Sequence, residues 1–187
     1  MTISVLIDSN AWNFLFDRAI DINRELPREE FAIFITREVE IELTAIPDIG
    51  KGGLDKRPLK QYIQDSIARN RVTTTATFGF AEATSTGGPA TYAGFGQGTF
   101  QSEKDRTWYG QEKTQKYILG KSKKGSGLSG NQTDASVATS SFHCIVLTCD
   151  KKGGPITEAA NTCGKVIFLS EACLTLQSLK QMLLEHA

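Results

Sequence analysis

The stretch ISVLIDSN (3–10) predicts a buried β-strand that ends on a carboxylate. Its first five residues are mostly apolar and do not alternate with charged ones, which is typical of a parallel strand covered on both faces. Asp8, Ser9 and Asn10 follow, and each of these residues is a good helix N-cap. Asp8 therefore has two interpretations, a helix cap or part of a metal site, and the rest of the chain has to decide between them.

Strands of the same kind recur along the chain and alternate with helical patterns. The continuous apolar runs are FAIFIT (31–36), CIVLT (144–148) and KVIFL (165–169), and the β-branched run RVTTTATF (71–78) predicts an edge strand. Helical spacing of apolar residues predicts helices over 37–46, 57–70, 112–119, 133–142 and 170–187. This alternation predicts an α/β fold, namely a three-layer α/β/α sandwich with a mainly parallel central sheet.

The length of 187 residues fits a single domain over 1–187 that is large enough for a proper core. A glycine-rich insertion at about 79–131 interrupts it, and eleven of the 17 glycines fall there. Its glycine-rich stretches flank a helix-like piece that contains Trp108 and Tyr109. A loop this long in a compact domain is usually functional or disordered. We therefore expect an insertion beside the functional site.

Charge is balanced overall but not locally. Lys and Arg number 21, as do Asp and Glu, so no global basic field indicates a nucleic-acid partner. Residues 101–130 nevertheless carry seven basic side chains against three acidic ones. This segment is either a substrate-facing surface or a solvated helix face.

The four cysteines lack the Cys-x-x-Cys spacing of a zinc or redox site, so they are expected to be free thiols. No signal peptide precedes the first strand, and no apolar run approaches the length needed to span a membrane. We expect a cytoplasmic protein with no membrane partner.

Asp8 and Asp150 follow the ends of two predicted strands, Asp134 begins the helix that leads to the second of these strands, and Glu42 lies within the helix after the strand 31–36. Ligands of open parallel sheets gather outside the carboxyl ends of the strands. Converging carboxylates repel one another, whereas Mg²⁺ or Mn²⁺ would turn them into a site of hard oxygen ligands. Each acid also has a purely structural interpretation: helix caps for Asp8 and Asp134, an exposed pair with Glu38 for Glu42, and the turn DKKGG for Asp150.

The order Asp8-Ser9-Asn10, Thr36 to Glu42-Leu43, Asp134-Ala135 and Thr148-x-Asp150 resembles the PIN-domain nucleases, with the VapC-type toxins nearest in motif wording. The resemblance covers about 1–48 and 131–187. Glu38 and Glu40 compete with Glu42 for the same role. Many relatives carry a further acid where this chain has Lys152, and the insertion is longer than in the compact toxins.

The resemblance implies metal-dependent hydrolysis of single-stranded RNA. It implies that Asp8, Glu42, Asp134 and Asp150 are the catalytic residues and the ligands of Mg²⁺ or Mn²⁺, with Ser9, Asn10 and Thr148 orienting ligands or water. The residues expected to contact the RNA backbone are Lys121, Lys123, Lys124, Lys151 and Lys152, with Trp108 or Tyr109 for base stacking.

Two alternatives stay open at this point. One is a non-catalytic module on the same fold that binds nucleic acid or protein, and the other is a metal-dependent phosphatase. The expected partners of the nuclease are single-stranded RNA, an antitoxin protein if the chain is a toxin, and a second copy of the chain in a homodimer.

Overall fold

A computed structural model describes residues 2–78, 98–100, 102–118 and 126–187, and over 76–78 and 98–100 it describes the backbone only. The strands are β1 Ile3–Ile7, β2 Phe31–Thr36, β3 Thr73–Phe78, β4 Gly98–Phe100, β5 Ile145–Thr148 and β6 Val166–Phe168. The strands predicted at 3–7 and 31–36 are confirmed to the residue, and those at 144–148 and 165–169 to within two residues at each end.

The strands pair in the order β4-β3-β2-β1-β5-β6, and every pairing is parallel. From β1 the chain builds the sheet outward in one direction through β2 to β4, and β5 and β6 then fill the other side. β1 and β5 are therefore neighbours at the topological switch point, with Val5 opposite Ile145 and Ile7 opposite Leu147. Ligands of open α/β sheets bind outside the carboxyl ends of such strands.

Helices surround this sheet. They are α1 Ser9–Asp17, α2 Ile22–Glu25, α3 Arg37–Thr44, α4 Arg57–Asn70, α5 Glu103–Tyr109, α6 Glu112–Ile118, α7 Gln132–Ser140, α8 Pro155–Asn161, α9 Glu171–Leu176 and α10 Leu179–Glu185. The fold is α/β, and the arrangement is compatible with the predicted three-layer sandwich. Among the described residues, no helix is long and apolar enough to cross a membrane.

The core lies at the central strands, because their side chains are buried in unbroken runs. Val5, Leu6 and Ile7 of β1 are fully buried, and all four residues of β5 are buried as well. Trp12 of α1 is fully buried beside them, in edge-to-face contact with Tyr62 of α4. Continuous burial of this kind is the reason that the apolar runs of the sequence do not alternate.

Two predictions about elements need correction. The run 71–78 does not form the edge of the sheet, because Ala76–Phe78 pairs with Gly98–Phe100 of β4. The predicted helix over 170–187 is two helices, since Gln177 is extended and Ser178 begins α10 with a capping box to Gln181. The helix predicted at 112–119 is confirmed as α6, and α5 precedes it within the proposed insertion; both helices pack against α7.

Candidate metal centre

Asp8 sits directly after β1 and caps α1. Its Oδ1 accepts a hydrogen bond from the backbone N–H of Ser9 at 2.7 Å. Its own N–H donates to the carbonyl of Leu147 at 3.0 Å, which holds the end of β1 against β5. The Asp8 side chain is only 1% exposed, so it is a charged group buried at the switch point of the sheet.

Asn10 and Thr148 hold the second carboxylate oxygen of Asp8. Asp8 Oδ2 accepts from Asn10 Nδ2 at 2.8 Å and from Thr148 Oγ1 at 2.7 Å. Asn10 Oδ1 in turn accepts from the backbone N–H of Cys149 at 2.6 Å. The residues predicted to orient ligands thus contact Asp8 and connect the ends of β1 and β5, which limits the freedom of its carboxylate.

The pKa of Asp8 is raised from 3.8 to about 6. Burial is the largest cause, because it removes water from the charged form, and the nearby negative charges of Asp134 and Glu42 raise the pKa further. Hydrogen bonds from Thr148 and Ser9 act in the opposite direction. Three of the four predicted acids therefore lie close enough for their charges to interact.

Glu42 lies on α3 and is half-buried. Its Oε1 accepts a hydrogen bond from Thr133 Oγ1 of α7 at 2.8 Å. Its competitors are engaged elsewhere: Glu38 is buried and accepts from Ser136 at 2.7 Å, and Glu40 forms an ion pair with Arg37. The charge of Glu42 acts on Asp8.

Asp134 and Asp150 occupy different settings. Asp134 lies in the first turn of α7 and is half-buried, and its charge acts on Asp8. Asp150 follows β5, and its Oδ1 accepts from the backbone N–H of Lys152 at 2.9 Å, while its own N–H donates to Thr148 Oγ1 at 3.0 Å. Asp150 thus forms the turn that its structural interpretation anticipated.

The basic and aromatic residues predicted to contact RNA also lie in different settings. Lys151 and Lys152 are exposed beside Asp150, and the charge of Lys151 lowers the pKa of Cys149, whose net shift, to about 11, is upward because of burial. Lys121, Lys123 and Lys124 lie outside the described residues. Trp108 and Tyr109 are 6% and 8% exposed and belong to the core, so the stacking role considered for them is wrong in this arrangement.

The donor set of the site suits a hard cation. Asp8, Glu42 and Asp134 offer carboxylate oxygens, which Mg²⁺ and Mn²⁺ prefer, and a cation among them would offset the repulsion that raises the Asp8 pKa. In the described part of the chain, no three His, Cys, Asp or Glu side chains form a group already arranged to hold a metal ion. The carboxylate oxygens of Asp8, Glu42 and Asp134 nevertheless fit the ligand chemistry of such an ion.

Sequence reasoning missed one participant. Thr133 carries no charge and lies inside a helix, so nothing in its residue type marked it as a partner of Glu42. The only signal was its position next to Asp134 at the start of a predicted helix.

Comparison of the chain with models of protein families, with curated proteins and with solved structures found no match in any of the three.

Proposed function

We propose that this protein is a metal-dependent ribonuclease with a PIN-like fold, which hydrolyses phosphodiester bonds of single-stranded RNA. One observation carries the proposal. A buried carboxylate, Asp8, lies at the topological switch point of a parallel sheet, where the charges of Asp134 and Glu42 act on it. Burying a carboxylate beside two others is unfavourable unless a cation or a proton compensates it, and perturbed acids of this kind concentrate at functional sites.

Asp8, Glu42 and Asp134 would hold Mg²⁺ or Mn²⁺, and Asp150 is the fourth proposed ligand at the same edge of the sheet. When bound, the ion lowers the pKa of a water molecule and stabilises negative charge on phosphate oxygens. Among the residues that the structure describes, only Ser9 donates to Asp8 Oδ1, so this oxygen has lone-pair capacity to offer a cation.

The residues around Asp8 fix its orientation. Thr148 and Asn10 donate to Oδ2, so rotation of the carboxylate would break two hydrogen bonds. Orientation of a ligand by such partners strengthens metal binding, because the group does not have to be ordered when the ion arrives.

Lys151 and Lys152 would bind the RNA backbone beside the acids. Both are exposed and directly follow Asp150, and the charge of Lys151 reaches Cys149 at the end of β5. Phosphate contacts from lysines supply affinity without selecting a base sequence. Lys121, Lys123 and Lys124 belong to the same proposal as further backbone contacts, and toxin status, with an antitoxin as partner, belongs to it as its biological setting.

A non-catalytic module that binds nucleic acid or protein is the second candidate. One observation favours it: the described residues contain no group of three potential ligands already arranged around an ion. Such a module would bind RNA equally well in Mg²⁺ and in EDTA.

Cleavage of a labelled, mixed single-stranded RNA by the purified chain tests the proposal. We expect cleavage with Mg²⁺ or Mn²⁺, none with EDTA, and none for Asp8→Asn or Asp150→Asn. Asp17→Asn is the matched control, because Asp17 is an exposed aspartate at the end of α1. Unimpaired cleavage by Asp8→Asn would contradict the nuclease proposal. Metal-dependent hydrolysis of a small phosphate ester without RNA cleavage would support a phosphatase instead.

A further inference from the structure

Two hydrogen bonds between hydroxyl and carboxylate groups connect α3 to α7. Thr133 Oγ1 donates to Glu42 Oε1 at 2.8 Å, and Ser136 Oγ donates to Glu38 Oε2 at 2.7 Å. The pairs run in opposite directions along the two helices, so α3 and α7 are antiparallel where they meet. The contact therefore fixes the rotation of each helix relative to the other.

Thr133 is the buried member of this contact that touches a residue of the site. Its side chain is fully buried, and the next residue along α7 is Asp134. One turn of α7 thus carries two groups connected with the site. Asp134 acts on Asp8 through its charge, and the Thr133 hydroxyl donates to Glu42, whose charge also acts on Asp8.

We propose that Thr133 is a positioning residue, which fixes the Glu42 carboxylate relative to Asp134 so that both can bind one divalent cation. This inference rests on the proposed metal-dependent function. The hydroxyl donates to Oε1 from a helix that also carries Asp134, and it thereby restricts the rotation of the Glu42 carboxylate. Loss of a partner of this kind typically weakens metal binding by about 10- to 100-fold.

The same helix offers a matched comparison. Thr139 is also buried, at 2% exposure, but its hydroxyl donates to the carbonyl of Ala135 within α7 at 2.8 Å. Replacing either threonine by valine removes one buried hydroxyl at nearly constant volume. Only the change at position 133 removes a hydrogen bond to an acid of the site.

Mn²⁺ affinity, measured by isothermal titration calorimetry on the full chain, tests this inference. The variants are Thr133→Val, Thr133→Ser, Thr139→Val, Glu42→Gln and the double variant Thr133→Val with Glu42→Gln. We expect Thr133→Val to weaken Mn²⁺ binding about tenfold. Thr133→Ser, which keeps the hydroxyl, and Thr139→Val should bind Mn²⁺ as the wild type does. In the Glu42→Gln background, Thr133→Val should cause no further loss, because its effect passes through Glu42.

Wild-type affinity in Thr133→Val, or an equal loss in the Glu42→Gln background, would overturn the inference and leave the proposed function standing. A wild-type chain that binds no Mn²⁺ would overturn both. Urea unfolding in EDTA checks that each variant folds. If Thr133→Val does not, Thr133→Ala removes the hydroxyl without adding volume and gives the same contrast with Thr133→Ser.

Discussion

Replacing Asp8 by asparagine removes one titratable carboxylate from the site. The effect of its charge can then be measured as a difference in how the free energy of unfolding depends on pH. The pKa of Asp8 is about 6 in the folded protein and 3.8 as its ordinary value. Between these values the folded protein holds a proton that the unfolded chain has released. The contribution of Asp8 to stability is therefore largest below pH 3.8 and is lost as the pH rises through 6.

The magnitude follows from the two pKa values. Their full difference corresponds to about 3 kcal/mol, and the part that falls between pH 5 and pH 8 is about 1.4 kcal/mol. Asparagine does not titrate in this range. The free energy of unfolding of Asp8→Asn, relative to that of the wild type, should thus rise by about 1.4 kcal/mol from pH 5 to pH 8.

The comparison has to be made across pH and not at one pH. Asp8 Oδ2 accepts from both Asn10 and Thr148, and Oδ1 accepts from Ser9, so an asparagine amide would face a donor in either orientation. That mismatch costs about 1–3 kcal/mol, but it does not change with pH. The slope therefore isolates the charge, whereas the absolute stability does not.

The assay is urea unfolding followed by circular dichroism, in EDTA, at pH 5, 6, 7 and 8, with Asp17→Asn as the exposed control. A difference between Asp8→Asn and the wild type that stays constant over this range, or moves the other way, would refute the reasoning that Asp8 is buried among like charges. Millimolar Mg²⁺ at pH 8 should then stabilise the wild type and leave Asp8→Asn unchanged, because an ion that binds only the folded state raises its stability.

Two further predictions concern other parts of the chain. Gly164→Ala should lower the free energy of unfolding by about 1–3 kcal/mol, because the added Cβ would lie 2.3 Å from Ser141 Oγ. Gly153→Ala is the control: a Cβ there would meet no atom within 4 Å, so the free energy of unfolding should stay unchanged in the same urea experiment. Lys151→Gln should lower the slope of log affinity against log salt for single-stranded RNA by about 0.7, measured by fluorescence anisotropy. Lys165→Gln should not, because Lys165 is an exposed lysine that precedes β6, at the amino ends of the strands and away from the proposed site.

The sequence predicts best those elements whose burial follows from the apolar pattern along the chain alone, without knowledge of tertiary contacts. No residue of β1 or β2 is exposed, because the side chains on both faces of each strand are buried or half-buried, so an unbroken apolar run predicts Ile3–Ile7 and Phe31–Thr36 directly. The helix Arg57–Asn70 also begins and ends where its apolar spacing predicts. The sequence predicts one terminal helix over 170–187, because apolar residues continue across the break between α9 and α10. SLKQ (178–181) nevertheless carries the S-x-x-Q signal of the capping box that begins α10.

The composition of the site is predictable only in part, for a geometric reason. Strand ends meet at one edge of a parallel sheet, so Asp8 and Thr148 follow from the sequence. Side chains on helices reach that edge only if the helix has the right rotation, and Glu38 and Glu42 lie on the same face of α3. The contact with α7 separates them, since Ser136 takes Glu38 while Thr133 takes Glu42. Such a contact depends on tertiary packing and leaves no pattern in the sequence.

The two interpretations of Asp8, a helix cap and part of a metal site, are compatible. The free-energy cost of burying its charge shows whether capping alone explains an aspartate at this position. Asp8 does cap α1, as the structural interpretation expects. Ser9 or Asn10 would cap a helix in this place without placing a charge in the core. A buried aspartate whose pKa is raised to about 6 destabilises the folded protein at neutral pH relative to either of them. Capping alone therefore does not account for an aspartate at this position. The proposed cation site would account for it, because a cation requires the negative charge and a helix cap does not.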